Sequence, residues 1–563
     1  MKFKKIKYIY IFLLIIILCG CNQRQAKTTT TTPSVITTTT PSVTEPTQTQ
    51  TTKPIIPTTT KPITTTVSTS TTTKAPEPIY GDTYTLNVLA FNDIHGHIEQ
   101  INGTGGISNV SYLVNEIRNE DEYDNTLLLA NGDIFQETAI SRVSYGRVLI
   151  DVMNEMKFDM MNLGNHEFDW GLDKILNYWD GDLANGEANF PLLNANIYDN
   201  STNQLVKMKS GNVLTSTIVK KGPINVGLIG YIGNVYGSIS KNMVEDYTFK
   251  ASDEELKSSV LEIGSSLKDN GADVIIVSIH DGNSDGITYY NPNNLIAKIK
   301  YNGDYLVDAV LNGHTHTEQK GSITRDGGVA MPVIQSSPYI SSTGALKEFG
   351  RIDLEIDLKT KDVTNTNYKH VYVTNALNNY DVNVEKIVNQ YKEESSDILN
   401  EVYCQNLSSI NRYDAKLQNW VSNLMMKSTG ATAGLCNVGG LRSGVDKGNF
   451  GFDEVYRLNP FDNHIILVTI TGANLQKFLN DNQGYYFCYT DTGGIDTTKL
   501  YNLAIIDYVY YSYYFRNYQN TKAVDTNLIV RDLIIEELRL HKESGFYLED
   551  DYNDININMK NGW

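Results

Sequence analysis

Five times in this chain a run of apolar residues stops at a short motif of aspartate, asparagine and histidine, and this repetition constrains the fold more than any other feature. Residues 86–91 end at Asn92-Asp93-Ile94-His95, and residues 127–130 end at Asn131-Gly132-Asp133. A third run ends at Gly164-Asn165-His166-Glu167. Residues 274–279 lead into His280, and residues 307–311 lead into Gly313-His314-Thr315-His316. The runs have strand character, and helical patterns lie between them. Ile107, Val110, Leu113, Val114 and Ile117 fall on one helical face within residues 106–120. Ser252 and Glu255 form a capping-box pair ahead of an apolar side made by Leu256, Val260, Ile263 and Leu267. Strand–helix alternation of this kind predicts an α/β layered domain. Open α/β sheets bind ligands beyond the carboxyl ends of their strands, so the five motifs are expected to converge there.

The residue types indicate what such a convergence could do. Six of the nine histidines fall between residues 95 and 316. Asp93 and His95 are two apart, so an extended backbone points both side chains the same way, and His314 and His316 repeat the arrangement. Aspartate, histidine and one asparagine carbonyl suit divalent zinc or manganese, whereas an all-oxygen set would suit calcium or magnesium. One carboxylate shared between two ions about 3.5–4 Å apart makes the two-metal clamp of phosphoryl transfer. Such a clamp activates a water as hydroxide and neutralises the phosphoryl oxygens. A single His or Asp at a strand end is ordinarily a cap or turn residue; five motifs in this order point to a site.

The series resembles the calcineurin-like metallophosphatases and, more narrowly, the secreted 5′-nucleotidase, UDP-sugar hydrolase and 2′,3′-cyclic phosphodiesterase family. The resemblance implies an α/β fold: an N-terminal four-layer metallophosphatase sandwich and a separate α+β C-terminal nucleotidase domain. It implies that Asp93, His95, Asp133 and His316 hold a first metal, and that Asp133, Asn165, His280 and His314 hold a second, with Asp133 as the bridge. In Gly164-Asn165-His166-Glu167-Phe168-Asp169, His166 would stabilise the transition state or protonate the leaving oxygen, and Asp169 would orient that imidazole. His97 reads as a loop residue rather than a ligand.

The second domain carries Asn437-Val438-Gly439-Gly440-Leu441-Arg442 and, later, Leu458-Asn459-Pro460-Phe461-Asp462-Asn463. Both look like substrate-binding motifs of the nucleotidase C-terminal domain. There Gly439 and Gly440 would let the backbone approach the ligand. Asn437 would contact the base edge, Arg442 the phosphate or ribose side, and Phe461 would stack on the base. Tyr508 stands for the family's second stacking aromatic, although no Gly-Gly-Asp loop follows it, and Arg412 stands for an arginine expected early in the domain.

The N-terminus speaks to location. Four lysines precede an apolar run that is too short to span a membrane, and the run ends Leu18-Cys19-Gly20-Cys21, similar to the bacterial lipobox. Residues 1–21 therefore read as a lipoprotein signal peptide with lipid attachment at Cys21. Threonine- and proline-rich residues 22–80 read as a disordered stalk. The metallophosphatase domain is expected over 81–365, a linker with a helix over 366–400, and the substrate-binding domain over 401–563. Acidic residues outnumber basic ones 65 to 47, a formal charge of −18, which disfavours a nucleic-acid polymer as partner. Five cysteines, two of them in the leader, exclude a disulfide scaffold.

The expected protein is an extracellular phosphohydrolase, lipid-anchored to the outer face of a bacterial cell membrane. With two divalent ions, Zn²⁺ or Mn²⁺, it would release phosphate from nucleoside 5′-monophosphates by hydroxide attack. A 2′,3′-cyclic nucleotide phosphodiesterase or a UDP-sugar or dinucleotide pyrophosphatase is the enzymatic alternative, and a surface adhesin on the same fold is the non-enzymatic one. Nothing in the sequence bears on subunit number.

Overall fold

The computed structural model describes residues 80–548 and 558–561, other than 102, 122–124, 208–210, 341–342, 483–486, 492–493, 513 and 519–522. The leader, Cys21 and the stalk up to residue 79 lie outside the described residues. Among the described residues no helix is long and apolar enough to cross a membrane.

Two sheets make the N-terminal half. The first has seven strands in the order Val363–Tyr372, Glu348–Asp357, Thr83–Phe91, Thr126–Asn131, Met160–Asn162, Leu192–Leu193 and Val213–Leu214. From Thr83–Phe91 onward its neighbours pair in parallel, and the first two strands add antiparallel. The second has six, in the order Gln319–Ile323, Met331–Gln335, Ala309–Leu311, Val274–His280, Ile224–Ile232 and Ser216–Lys221.

Side-chain alternation along the strands builds the layers. Leu86, Val88 and Ala90 enter the core between the sheets with Leu228, Ile276 and Leu311. Leu89 and Phe91 point the other way, onto Val110, Val114 and Ile117 of the helix Ile107–Arg118. On the far side Ile275, Val277 and Ile279 pack on Leu256, Val260 and Leu267 of the helix Asp253–Asp269. That helix starts at the capping box formed by Ser252 and Glu255. Helix, sheet, sheet and helix are the four layers. Strands covered on both faces read as near-continuous apolar runs, which is why the sequence showed runs rather than strict alternation.

The first sheet reaches further than the expected boundary at residue 365, because its edge strand runs to Tyr372. The helix Val382–Glu394 follows, burying Val384, Val388 and Tyr391 in the N-terminal core. The C-terminal half has its own core and a six-stranded, mainly antiparallel sheet, in which His464–Thr471 and Leu500–Ile506 are central. The helix Ala415–Thr429 buries Leu417, Trp420, Val421 and Met425 against that sheet.

Candidate active site

All five polar motifs sit at the carboxyl ends of their strands, and their side chains meet. Oxygen or nitrogen atoms of Asp93, His95, Asp133 and His316 lie within 4.8 Å of one another, and so do those of Asp133, His280 and His314. Asp133 belongs to both groups. Asn165 joins the second through Oδ1, 2.7 Å from His314 Nδ1 and 3.3 Å from His280 Nε2.

The loops are bent to achieve this. Asp93, His95, Asp133, His314 and His316 adopt φ of 53°, 52°, 54°, 70° and 51°. Non-glycine residues visit this left-handed region at a cost, and such outliers gather at functional sites. Main-chain bonds hold the bends: Asp93 N–H donates to Gly132 O at 3.0 Å and His95 N–H to Asp133 O at 2.9 Å. Gly132 has φ of 75°, and a Cβ there would stand 2.6 Å from both Gly164 N and His280 Nδ1, so only glycine lets these loops close.

Outer partners set the imidazoles. His280 donates Nδ1–H to Asn131 O at 2.7 Å, which turns Nε2 to within 3.0 Å of Asp133 Oδ2. His95 Nδ1 meets Gln136 O at 3.0 Å, and its Nε2 faces His316 Nε2, also at 3.0 Å. Burial pushes the His95 imidazole down to about 3, which keeps it neutral and able to ligate. Asp133 Oδ2 is buried with no hydrogen-bond partner. Burial alone would depress His280, but the carboxylates of Asp133 and Asp93 raise it to about 10. Carboxylate oxygens, imidazole nitrogens and an amide oxygen gathered this closely make a donor set that fits divalent cations with mixed nitrogen and oxygen coordination.

His166 stands beside this group. Its Nδ1 lies 2.6 Å from Asp169 Oδ2, the pairing expected from the motif. Burial alone would depress the imidazole, but the carboxylates of Asp169 and Asp133 overcome it and raise it to about 9.

The C-terminal residues face the same space. Arg412, Asn437, Gly439, Gly440, Arg442, Phe461 and Tyr508 line one cavity of about 430 Å³ with Asp133, Asn165, His166, Asp169, His314 and His316. The ring of Phe461 lies 5.9 Å from that of His166 at 24°. Asn437 Oδ1 is buried there without a partner. A Cβ at Gly440 would meet that Oδ1 at 3.0 Å, so the glycine makes room for Asn437. Arg442 departs from expectation, since its guanidinium is ion-paired with Glu137 of the N-terminal half.

Two acidic residues escaped the sequence reading. Glu167, fully buried, accepts from the N–H groups of Asp133, Ile134 and Gly164 at 2.8, 2.8 and 2.7 Å and ties two ligand loops together. Its signal was its place inside the His166 motif. Glu137 had no such signal. His97 lies outside the two ligand groups, its ring 4.1 Å from that of Tyr339. Glu318, Glu348 and His370 also converge, but Lys347 Nζ bridges the carboxylates at 2.8 and 3.3 Å and makes an ion-pair network of them.

Residues 86–318 match the calcineurin-like phosphoesterase family, and residues 399–510 match the 5′-nucleotidase C-terminal domain. Endonuclease YhcR of Bacillus subtilis (strain 168) is 25% identical over 421 residues, 70% of this chain, and the chain spans 32% of that relative's length. The 5′-nucleotidase of Rattus norvegicus is 26% identical over 441 residues, 70% of this chain and 71% of that one. The crystal structure of the 5′-nucleotidase precursor from Thermus thermophilus shares the fold. Its TM-score is 0.64 at 18% identity, over 82% of this chain and 97% of that one. Two family matches in tandem, on the two halves whose residues line one cavity, mean that the chain belongs to the calcineurin-like metallophosphoesterases that carry a 5′-nucleotidase C-terminal domain.

Proposed function

We propose that this protein hydrolyses nucleoside 5′-monophosphates to nucleoside and phosphate, using two divalent ions, Zn²⁺ or Mn²⁺. Asp93, His95, Asp133 and His316 hold the first ion, and Asp133, Asn165, His280 and His314 the second. When bound, the ions supply an activated water and offset charge on the phosphoryl oxygens. The observation that carries this reading is the single cavity in which both ligand groups meet Asn437, Phe461 and Tyr508 of the other half. A phosphatase without base recognition would have no use for two aromatic rings opposite its metal positions.

The chain's own residues divide the work. Phe461 and Tyr508 take the base between them, which fixes the distance of the 5′-phosphate from the metal positions. Asn437 reads the edge of the base with its unpartnered oxygen, and Arg412 meets anionic oxygen. His166, protonated on Nε2 while Nδ1–H is held by Asp169, gives its proton to the departing 5′-oxygen. The proposed location is the outer face of the cell membrane, with Cys21 lipidated and residues 22–80 as tether.

A substrate panel on the purified full chain tests the reading. Nucleoside 5′-monophosphates, a 2′,3′-cyclic nucleotide, UDP-glucose and an aryl phosphate would be compared with and without chelator. The expected result is a preference for 5′-monophosphates that chelation abolishes and Zn²⁺ or Mn²⁺ restores. A preference for the cyclic diester or for UDP-glucose would reassign the substrate. Chelator-resistant activity would overturn the mechanism.

A further inference from the structure

The backbone of Glu137 has φ of 139°, a conformation that glycine adopts freely and other residues avoid. The residue is 4% exposed, four positions after Asp133. A buried acid held in a glycine conformation persists only where its surroundings over-determine it, and such strain collects at functional positions. The surroundings here are specific. Glu137 Oε1 accepts from the guanidinium of Arg442, across the boundary between the halves. Oε2 accepts from Tyr339 O–H at 3.1 Å, and His97 Nε2 is 3.8 Å away. Oε1 is also 3.7 Å from His95 Nδ1, so the Arg442 guanidinium is held next to the metal positions.

The cavity contains a second arginine in a different state. Arg412 has no carboxylate within ion-pair distance among the described residues, and its Nε is buried without a hydrogen-bond partner. A guanidinium fork grips one planar anionic edge at full strength, and a partner already in place must be displaced before another anion can use it. Arg442 is ion-paired with Glu137, whereas Arg412 has no ion-pair partner among the described residues and its guanidinium stands 5.2 Å from the centre of the Tyr413 ring. The cavity therefore offers one guanidinium without an ion-pair partner where its side chains could have offered two.

We propose that Glu137 is a specificity-determining residue. By occupying Arg442 it withholds the cation that a second phosphate group would need, and so matches the cavity to substrates with one phosphate rather than to nucleoside di- or triphosphates. Glu137 acts through Arg442 and touches no reacting atom. The inference rests on the nucleotide-phosphatase reading above, deepens it to the phosphate count of the substrate, and assigns a role to a residue the metal site does not use.

The test uses the full-length protein with Zn²⁺ or Mn²⁺ restored. In Glu137→Gly and Glu137→Gln the ratio of kcat/KM for a nucleoside diphosphate to that for the monophosphate should rise about tenfold or more, chiefly through KM for the diphosphate. Glycine is at home at this φ, so the first variant folds without the strain. Glu137→Asp, which keeps the charge, should stay near the wild-type ratio. Adding Arg442→Ala to Glu137→Gly should erase the gain. Calorimetric binding of inorganic pyrophosphate against inorganic phosphate reads the same preference without turnover. A wild type inactive on nucleotides would therefore fault the proposed function, while the two binding constants still decide the role of Glu137. A ratio that stays within twofold of wild type in both single variants, by turnover and by binding, overturns the proposal. So does a gain that survives removal of Arg442.

Discussion

Replacing Glu167 by glutamine takes one acceptor from a carboxylate that serves three main-chain donors at once. Oε2 accepts from Asp133 N–H and Gly164 N–H, Oε1 accepts from Ile134 N–H, and no part of the side chain reaches solvent. Alanine would strand all three donors. At about 1–3 kcal/mol for each buried group left unpaired, the loss is roughly 3–9 kcal/mol. That is comparable with the whole stability of a typical domain, about 5–15 kcal/mol, so the alanine variant is a poor probe.

Glutamine is the informative change. Its oxygen, turned to the Oε2 position, keeps Asp133 and Gly164, and its amide then opposes Ile134 N–H. One orphaned donor costs about 1–3 kcal/mol. For a domain of this size that lowers the melting temperature by roughly 2–12 °C. The loosened loops carry Asp133 and Asn165, so metal affinity should fall by about 10–100-fold, the usual effect of altering residues that orient ligands. Thermal unfolding of chelator-treated protein reads the first effect, and competitive titration with Zn²⁺ or Mn²⁺ reads the second. A variant with wild-type midpoint and wild-type metal affinity would refute the reasoning. A lowered midpoint with unchanged affinity would make Glu167 a purely structural tie.

Five shorter tests address the site and the N-terminus. Asp133→Ala should lower bound metal to near none by elemental analysis, because one carboxylate belongs to both ligand groups; His166→Ala should keep the metal while turnover drops about 10²–10⁴-fold. Phe461→Ala should lower kcat/KM for a nucleotide roughly five- to a hundredfold, the scale of base–aromatic stacking at about 1–3 kcal/mol, and spare a small aryl phosphate. A reaction that needs His166 protonated should fail on the alkaline side, and Asp169→Asn should move that alkaline limb to lower pH, since the Asp169 carboxylate leads the influences that raise the imidazole against burial. Cys21→Ser should release the protein from the membrane fraction, and retention that still needs detergent would favour an uncleaved anchor helix.

What could be read from the sequence followed from periodicity and residue type. The strands were legible because both faces of Thr83–Phe91 and Val274–His280 are buried, so apolar runs with polar endings marked both the layers and the ligand positions. The edge strand Val363–Tyr372 was not legible. It is largely polar along one exposed face and holds its place by pairing with Glu348–Asp357, a contact no local pattern announces. The left-handed φ values of Asp93 and Asp133 are equally silent, since the Gly132 and Gly164 loops close directly against these residues. Glu137 was unreadable for a further reason. Its partner lies 305 positions later in the chain, and only the docked halves bring the charges together.

That docking explains why the metal positions and the substrate residues are not independent parts. One short segment, residues 133–142, serves both. Asp133 is common to the two ligand groups, while Gln136 orients His95 with its carbonyl and donates from its amide to Pro460 O at 3.1 Å. Glu137 pairs with Arg442, and Arg142 reaches Asp462 at 2.9 Å; the same carboxylate accepts from Arg531. A shift of the C-terminal half therefore pulls on the loop that sets Asp133 and His95. The reverse also holds, because linkage between binding steps is reciprocal. Under the proposed function, filling the metal positions would steady the segment that meets Phe461 and Arg442, and binding a nucleotide would steady the metal ligands. The two halves are thus coupled through ten residues, and under the proposed function both must be in register before His166 can face a leaving oxygen.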